Sequence, residues 1–209
     1  VGGSVIVDTS ATLTFDTGGY LSLAGTLNNE GTVVYDQAGD NEALLFNATI
    51  NNSGIFDFTG DSTNFPLLYS WQGTNTFNNS GTFEKTGGTG TTYNNVVFNN
   101  AATGVFAATS GTLDVGGTWA GGTFNVSAGA TIDLTSGGNT TITGTYTGSG
   151  AGRVLFQSGA LIAGTGGATL DFPQGLFQWT GGVIAGGSAS PGLTNTGYIS
   201  AAPTNTVVL

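Results

Sequence analysis

The sequence predicts an all-β chain, wound as a right-handed parallel β-solenoid of about eight or nine coils. Three observations carry the prediction. Charged residues make up 7% of the 209 residues and Gly contributes 38, yet 38% of the chain is hydrophobic and dominated by Val, Ile, Leu and Phe. A motif of an apolar residue, two asparagines and a glycine recurs at a spacing in the low to middle twenties, about one solenoid coil. No segment carries a helical apolar stripe for three turns, and strong helix formers are scarce.

The elements follow in order. Val5-Ile6-Val7, Thr12-Leu13-Thr14-Phe15 and Leu21-Ser22-Leu23 are short and β-branched or alternating, with Gly, Asn, Ser and Thr between them. The motif then appears as Leu27-Asn28-Asn29-Glu30-Gly31, Ile50-Asn51-Asn52-Ser53-Gly54, Phe77-Asn78-Asn79-Ser80-Gly81 and Phe98-Asn99-Asn100. Its leading apolar residues are 23, 27 and 21 residues apart. Looser copies begin at Phe124 and Leu193. Ile55-Phe56-Asp57-Phe58, Thr131-Ile132-Asp133-Leu134 and Ala168-Thr169-Leu170-Asp171-Phe172 add further strands. Each apolar residue of the motif points into a narrow core, and the asparagines turn a corner. Asn and Gly tolerate the left-handed backbone that a corner requires, and asparagines stacked on neighbouring coils can form a hydrogen-bonded ladder. Asn28, Asn29, Gly31, Asn51, Asn52, Gly54, Asn78, Asn79, Gly81, Asn99 and Asn100 are therefore expected to be structural corners.

An antiparallel β-sandwich is the alternative fold. Its strongest turn signals, Asn-Gly and Asp-Gly, are missing from a chain rich in both Asn and Gly, although Gly-Gly occurs. Uneven repeat lengths suit a right-handed helix with variable loops, the usual hand of parallel crossovers. Residues 1–209 form one domain, a rod of about 40 Å at the spacing of β-strands. Val1 enters a strand almost at once and Thr206-Val207-Val208-Leu209 is apolar and strand-like. The expectation is a slice of a longer solenoid or a unit that stacks on other copies.

The net charge is −10, with Lys85 and Arg153 the two bases, which argues against nucleic acid as a partner. No apolar run reaches the length of a membrane span. The chain starts at Val1 and lacks Met, so it reads as a processed or excised piece. It also lacks Cys and His, which rules out thiol chemistry and His-based triads. The acidic, Lys-poor, Thr/Asn/Gly-rich bias points to a bacterial cell surface or extracellular location.

In the C-terminal half, Thr118-Trp119-Ala120-Gly121-Gly122-Thr123-Phe124 is echoed by Gln178-Trp179-Thr180-Gly181-Gly182-Val183-Ile184. Joined to the asparagine–glycine repeats, this texture resembles the β-strand repeats of very large bacterial surface proteins, among them autotransporter passengers and filamentous-haemagglutinin-like adhesins. The resemblance implies an extracellular solenoid acting as a stalk, fibre or adhesin. It carries over no functional residue, because such repeats share no active site.

Candidate sites are few. Asp16, Asp36 and Asp57 are spaced to stack on successive coils, and Asp40, Glu42 and Asp61 lie in adjacent loops. Stacked acids repel unless a cation bridges them, so Asp36, Asp40, Glu42, Asp57 and Asp61 are a candidate calcium site, although neither an EF-hand loop nor a calcium-binding nonapeptide is present. Otherwise no cofactor is expected. Trp71, Trp119 and Trp179 are candidate glycan-binding rings, since an indole is large for a slim core and flat enough to stack on sugars. Lys85 is expected at the surface, paired with Glu84 or a loop acid. An isopeptide bond from it to an Asn finds no support in the spacing. The Thr-x-Thr pairs near Thr141 do not recur on successive coils as an ice-binding face requires. The function expected is a non-catalytic structural module whose partners are other copies or flanking repeats. The alternatives are a glycan-binding adhesive module and, third, a polysaccharide-active enzyme working through paired carboxylates.

Overall fold

The structure is a computed structural model and describes residues 2–16, 19–36, 42–62, 64–134, 138–186, 192–202 and the backbone of 207–208. Every described element is a β-strand. The 24 strands, β1 (Gly3–Val7) to β24 (Val207–Val208), fall into an 18-stranded and a 6-stranded sheet. All strand pairs run parallel, each strand pairing with one a coil away, so the chain is a β-solenoid of about 8 turns and not an antiparallel sandwich. Among the described residues no helix is long and apolar enough to cross a membrane.

Each coil presents up to three faces. The first is built from Gly3–Val7, the later halves of Leu21–Asn29 and Ala43–Asn52, then Thr76–Asn79, Val97–Asn100 and Thr118–Trp119. The second follows the turn after the first, which is Glu30-Gly31, Ser53-Gly54, Ser80-Gly81 and Thr103-Gly104 in successive coils. It stacks Thr12–Asp16, Thr32–Asp36, Ile55–Phe58, Thr82–Lys85, Val105–Ala108 and Gly122–Val126. The third begins with Leu21–Ala24, Ala43–Phe46 and Leu68–Gln72. Leu68 then bridges to Asn94, and the later coils have the separate smaller sheet, Thr91–Thr92, Thr112–Val115, Thr131–Leu134, Arg153–Phe156, Phe177–Trp179 and Ser200–Ala201.

Alternation decides what lies inside. In Thr76–Asn79 and Thr82–Lys85 every second residue is buried, the period expected of a strand with one face on the core. Parallel pairing in register then lines like residues along the axis. Leu27, Ile50, Phe77 and Phe98 form one inward row and Val33, Phe56, Phe83, Phe106 and Phe124 another. Phe77 and Phe98 stack with centroids 5.1 Å apart and planes within 8°, while Phe83 meets Phe98 edge-on at 4.9 Å. Contacts of this kind add about 0.5–1.5 kcal/mol each beyond the area they bury.

The two loose copies of the motif occupy other positions. Phe124 pairs with Phe106, and Asn195 with Leu170, both on the second face, whereas the four strong copies end the first. The two tryptophan motifs also differ from each other. Trp119 ends a first-face strand beside Asn100, and Trp179 ends a third-face strand beside Phe156. Similar texture therefore turns different corners.

Candidate functional site

The recurrent asparagines form two ladders. Burial alternates through each motif, so the first asparagine faces outward and is half-buried while the second is buried. The inner ladder runs from Asn29 to Asn100. Asn29 Nδ2 donates to Asn52 Oδ1 at 2.7 Å, Asn52 to Asn79 at 2.8 Å and Asn79 to Asn100 at 2.8 Å. The same amides also donate to carbonyls, Asn29 to Ile55 O at 2.7 Å and Asn52 to Thr82 O at 2.9 Å, which fixes their orientation. The outer ladder runs the opposite way. Asn99 donates to Asn78, Asn78 to Asn51, Asn51 to Asn28 and Asn28 to Ser4, at 2.9–3.2 Å. The two rows of amide dipoles oppose each other.

The ladders confirm the stacking but not the reason given for the corner. None of the motif asparagines has a positive φ. Among the described residues the one non-glycine that does is Asn47, and Gly31, Gly54 and Gly81 do not either. The asparagines still belong to their strands, and the glycines are demanded by space. A Cβ on Gly54 would stand 2.0 Å from Gly31 O, and one on Gly81 2.2 Å from Gly54 O. Each coil thus rests its turn on the glycine of the coil beneath.

Where the pattern stops, the chemistry changes. Val7 is the register partner of Asn29, and Asn29 Oδ1 is buried without a hydrogen-bond partner. At the other end Trp119 replaces the asparagine, and Asn100 Nδ2 donates instead to Gly121 O at 2.9 Å. Gly121 N–H in turn donates to Tyr146 Oη, which donates to Trp119 O at 2.8 Å. Burial holds the Tyr146 hydroxyl protonated far above its ordinary range. Outside the ladders lies a groove of about 510 Å³ lined by Asn28, Asn51, Asn78, Asn99, Glu30 and Ser53, among others. Asn51 and Asn78 each retain one N–H and one lone pair after the ladder bonds.

Lys85 is not at the surface. It shares an inward row with Tyr35, Phe58 and Ala108 and is 0% exposed. Its ammonium donates to Asp61 Oδ1 at 2.6 Å, Gly60 O at 2.7 Å and Thr92 Oγ1 at 3.0 Å, which satisfies all three protons. Burial pushes the Asp61 carboxyl up, but the Lys85 ammonium and the Gly90 amide outweigh it and hold Asp61 below the usual carboxylate range. Of the two partners expected, the loop acid Asp61 is the one found, and Glu84 faces the other side of the strand.

The acids do not stack as their spacing suggests. Asp16 pairs with Asp36, but Asp57 is two residues out of that row, beside Val34, and pairs with Glu84 on its other side. Burial raises both carboxyls of that pair, and Asp57 further raises Glu84. Asp57 is already occupied by the Thr86 hydroxyl at 2.7–2.8 Å, and Asp36 accepts from Thr59 at 2.8 Å. Glu42 is buried, and Asp40 lies outside the described residues. Among the described residues no three acids come together as a metal site would need. A pair that spacing overlooked is Asp114 with Asp133, side by side in the third face. Burial and then the Asp114 charge push Asp133 up to about 6, while Gln157, hydrogen-bonded to it, and Arg153 pull the other way. The shared patterns Thr-Leu-Asp-Val and Thr-Ile-Asp-Leu were the available signal.

The tryptophans separate by environment. Trp119 and Trp179 are core residues, 2% and 5% exposed, which corrects their expected outward position and removes them as glycan platforms. Trp119 packs against Phe106 at 5.3 Å and Trp179 over Phe156 at 6.4 Å. The core therefore seats an indole at two strand ends, Trp119 and Trp179. Trp71 is 59% exposed and touches Tyr69, which touches Phe65. No family model matches the chain, and no curated protein or solved structure matches it.

Proposed function

We propose that this chain is a non-catalytic structural module, a solenoid segment of a bacterial extracellular fibre, stalk or adhesin whose partners are other copies or flanking repeats. The observation that carries this reading is the continuity of the axial ladders. Two opposed asparagine ladders cross four coils, and the aromatic rows cross a similar span in register. A rod tied along its axis by backbone, amide and ring contacts resists bending, which a spacer requires. The scarcity of charge and the textural resemblance to surface-protein repeats support the extracellular assignment. The carboxylates that approach one another are engaged by protein donors, as Asp57 is by Thr86 and Asp133 by Gln157, which favours a structural over a hydrolytic role.

Electron microscopy of the native material is the test. Rods or filaments whose axial length grows by about 4.8 Å per coil are expected. Turnover of a polysaccharide that is abolished by Asp133→Asn would overturn the reading in favour of an enzyme.

A further inference from the structure

We infer that Phe65, Tyr69 and Trp71 form a binding platform for a neutral saccharide chain, a site independent of the rod itself. The chain buries most of its large rings, yet here it holds three together at the surface. Trp71 is 59% and Phe65 46% exposed, with centroids 5.7 Å from Tyr69 to Trp71 and 5.9 Å from Phe65 to Tyr69. The backbone positions them. In the pairing of Leu68–Gln72 with Ala43–Phe46, Leu45 faces Ser70 and Phe46 faces Gln72, so Trp71 is the extra residue of a β-bulge. A bulge re-aims the side chain it carries. The buried Leu67 and Leu68 anchor the segment beneath, and Asn95 Oδ1 accepts from Ser70 N–H at 2.7 Å to hold the strand from the next coil.

The surroundings select the ligand's chemistry. No Asp, Glu, Lys or Arg occurs between Glu42 and Asp57, between Asp61 and Glu84, or between Lys85 and Asp114, the stretches that build this region. On a chain of net charge −10 the platform is built from uncharged stretches, and Gln72 and Asn95 on them are exposed. Polyanions are disfavoured there. A pyranose ring offers the complement, an apolar C–H face to lie on an indole and hydroxyls for amides to bind. The exposed ring area is roughly 300 Å², taking about 150–250 Å² for each whole ring. That is short of the roughly 800 Å² per partner of a stable protein interface and sufficient for a few sugar units.

The test is affinity electrophoresis of the whole chain through gels containing hydroxyethylcellulose, mixed-linkage β-glucan or galactomannan, with polygalacturonate as the polyanion. At least one neutral polymer is expected to retard the protein. Trp71→Ala and Phe65→Ala are each expected to weaken retardation by about tenfold with the thermal unfolding midpoint unchanged. Trp71 is the exposed indole, so the bound polymer is expected to shield tryptophan fluorescence from acrylamide. Retardation by polygalacturonate alone, by none of the polymers, or equally in the variants would overturn the proposal. So would sedimentation showing self-association that Trp71→Ala abolishes, because the platform would then be a contact between copies.

Discussion

Asn52→Ala removes the middle of the inner ladder, and its cost can be worked from the contacts. Asn52 is 1% exposed. Its amide donates to Asn79 Oδ1 and Thr82 O, and its Oδ1 accepts from Asn29. Truncation strands one buried acceptor, Asn79 Oδ1, and one half-buried acceptor, Thr82 O, and leaves Asn29 Nδ2 with Ile55 O alone. An unsatisfied buried polar group costs about 1–3 kcal/mol, so the two should together cost about 2–6 kcal/mol, at the lower end if water enters the space. Asn51→Ala is the control. Asn51 makes equivalent ladder bonds on the outer row, but it is half-buried and water can replace its partners. It should cost about 1 kcal/mol or less. Urea unfolding followed by far-UV circular dichroism and tryptophan fluorescence gives both numbers, provided the transitions coincide and the slope is unchanged. Equal losses in the two variants, or a loss under about 1 kcal/mol for Asn52→Ala, would refute the claim that burial makes the inner ladder structural.

Two further outcomes are expected. The folded-state pKa of Asp133, near 6, lies above its ordinary value, so the folded state binds a proton more readily than the unfolded chain. Its contribution to stability therefore rises as pH falls from 7 to about 5; Asp57 and Glu84 act in the same direction and Asp61 in the opposite one. Asp133→Asn should flatten this part of a melting-temperature profile, and an unchanged profile would remove Asp133 as its source. Asp61→Ala leaves the fully buried Lys85 ammonium without its counter-charge and should cost about 3–5 kcal/mol. Lys85→Met removes the charge, leaves a partly exposed Asp61 that water can reach, and should cost less; the reverse order in urea unfolding would show that Asp61 does not neutralise Lys85.

The sequence by itself determined the solenoid and the stacking of its asparagines. Parallel pairing repeats one environment per coil, so equivalent residues recur at coil spacing and the period is visible without coordinates. The tertiary structure decided the rest. Spacing alone placed Asp57 with Asp36, but a coil can lengthen at any turn, and register set by the inward Phe rows moved Asp57 beside Glu84 instead. Composition made Lys85 a surface residue because a lysine is seldom buried, whereas its row position turned it inward to where Asp61, Gly60 and Thr92 converge. Size groups the three tryptophans, although Trp119 and Trp179 share a Trp-x-Gly-Gly motif that Trp71 lacks. Two strand ends point into the core and one bulge points out, and that difference of direction separates core residues from a candidate ligand platform.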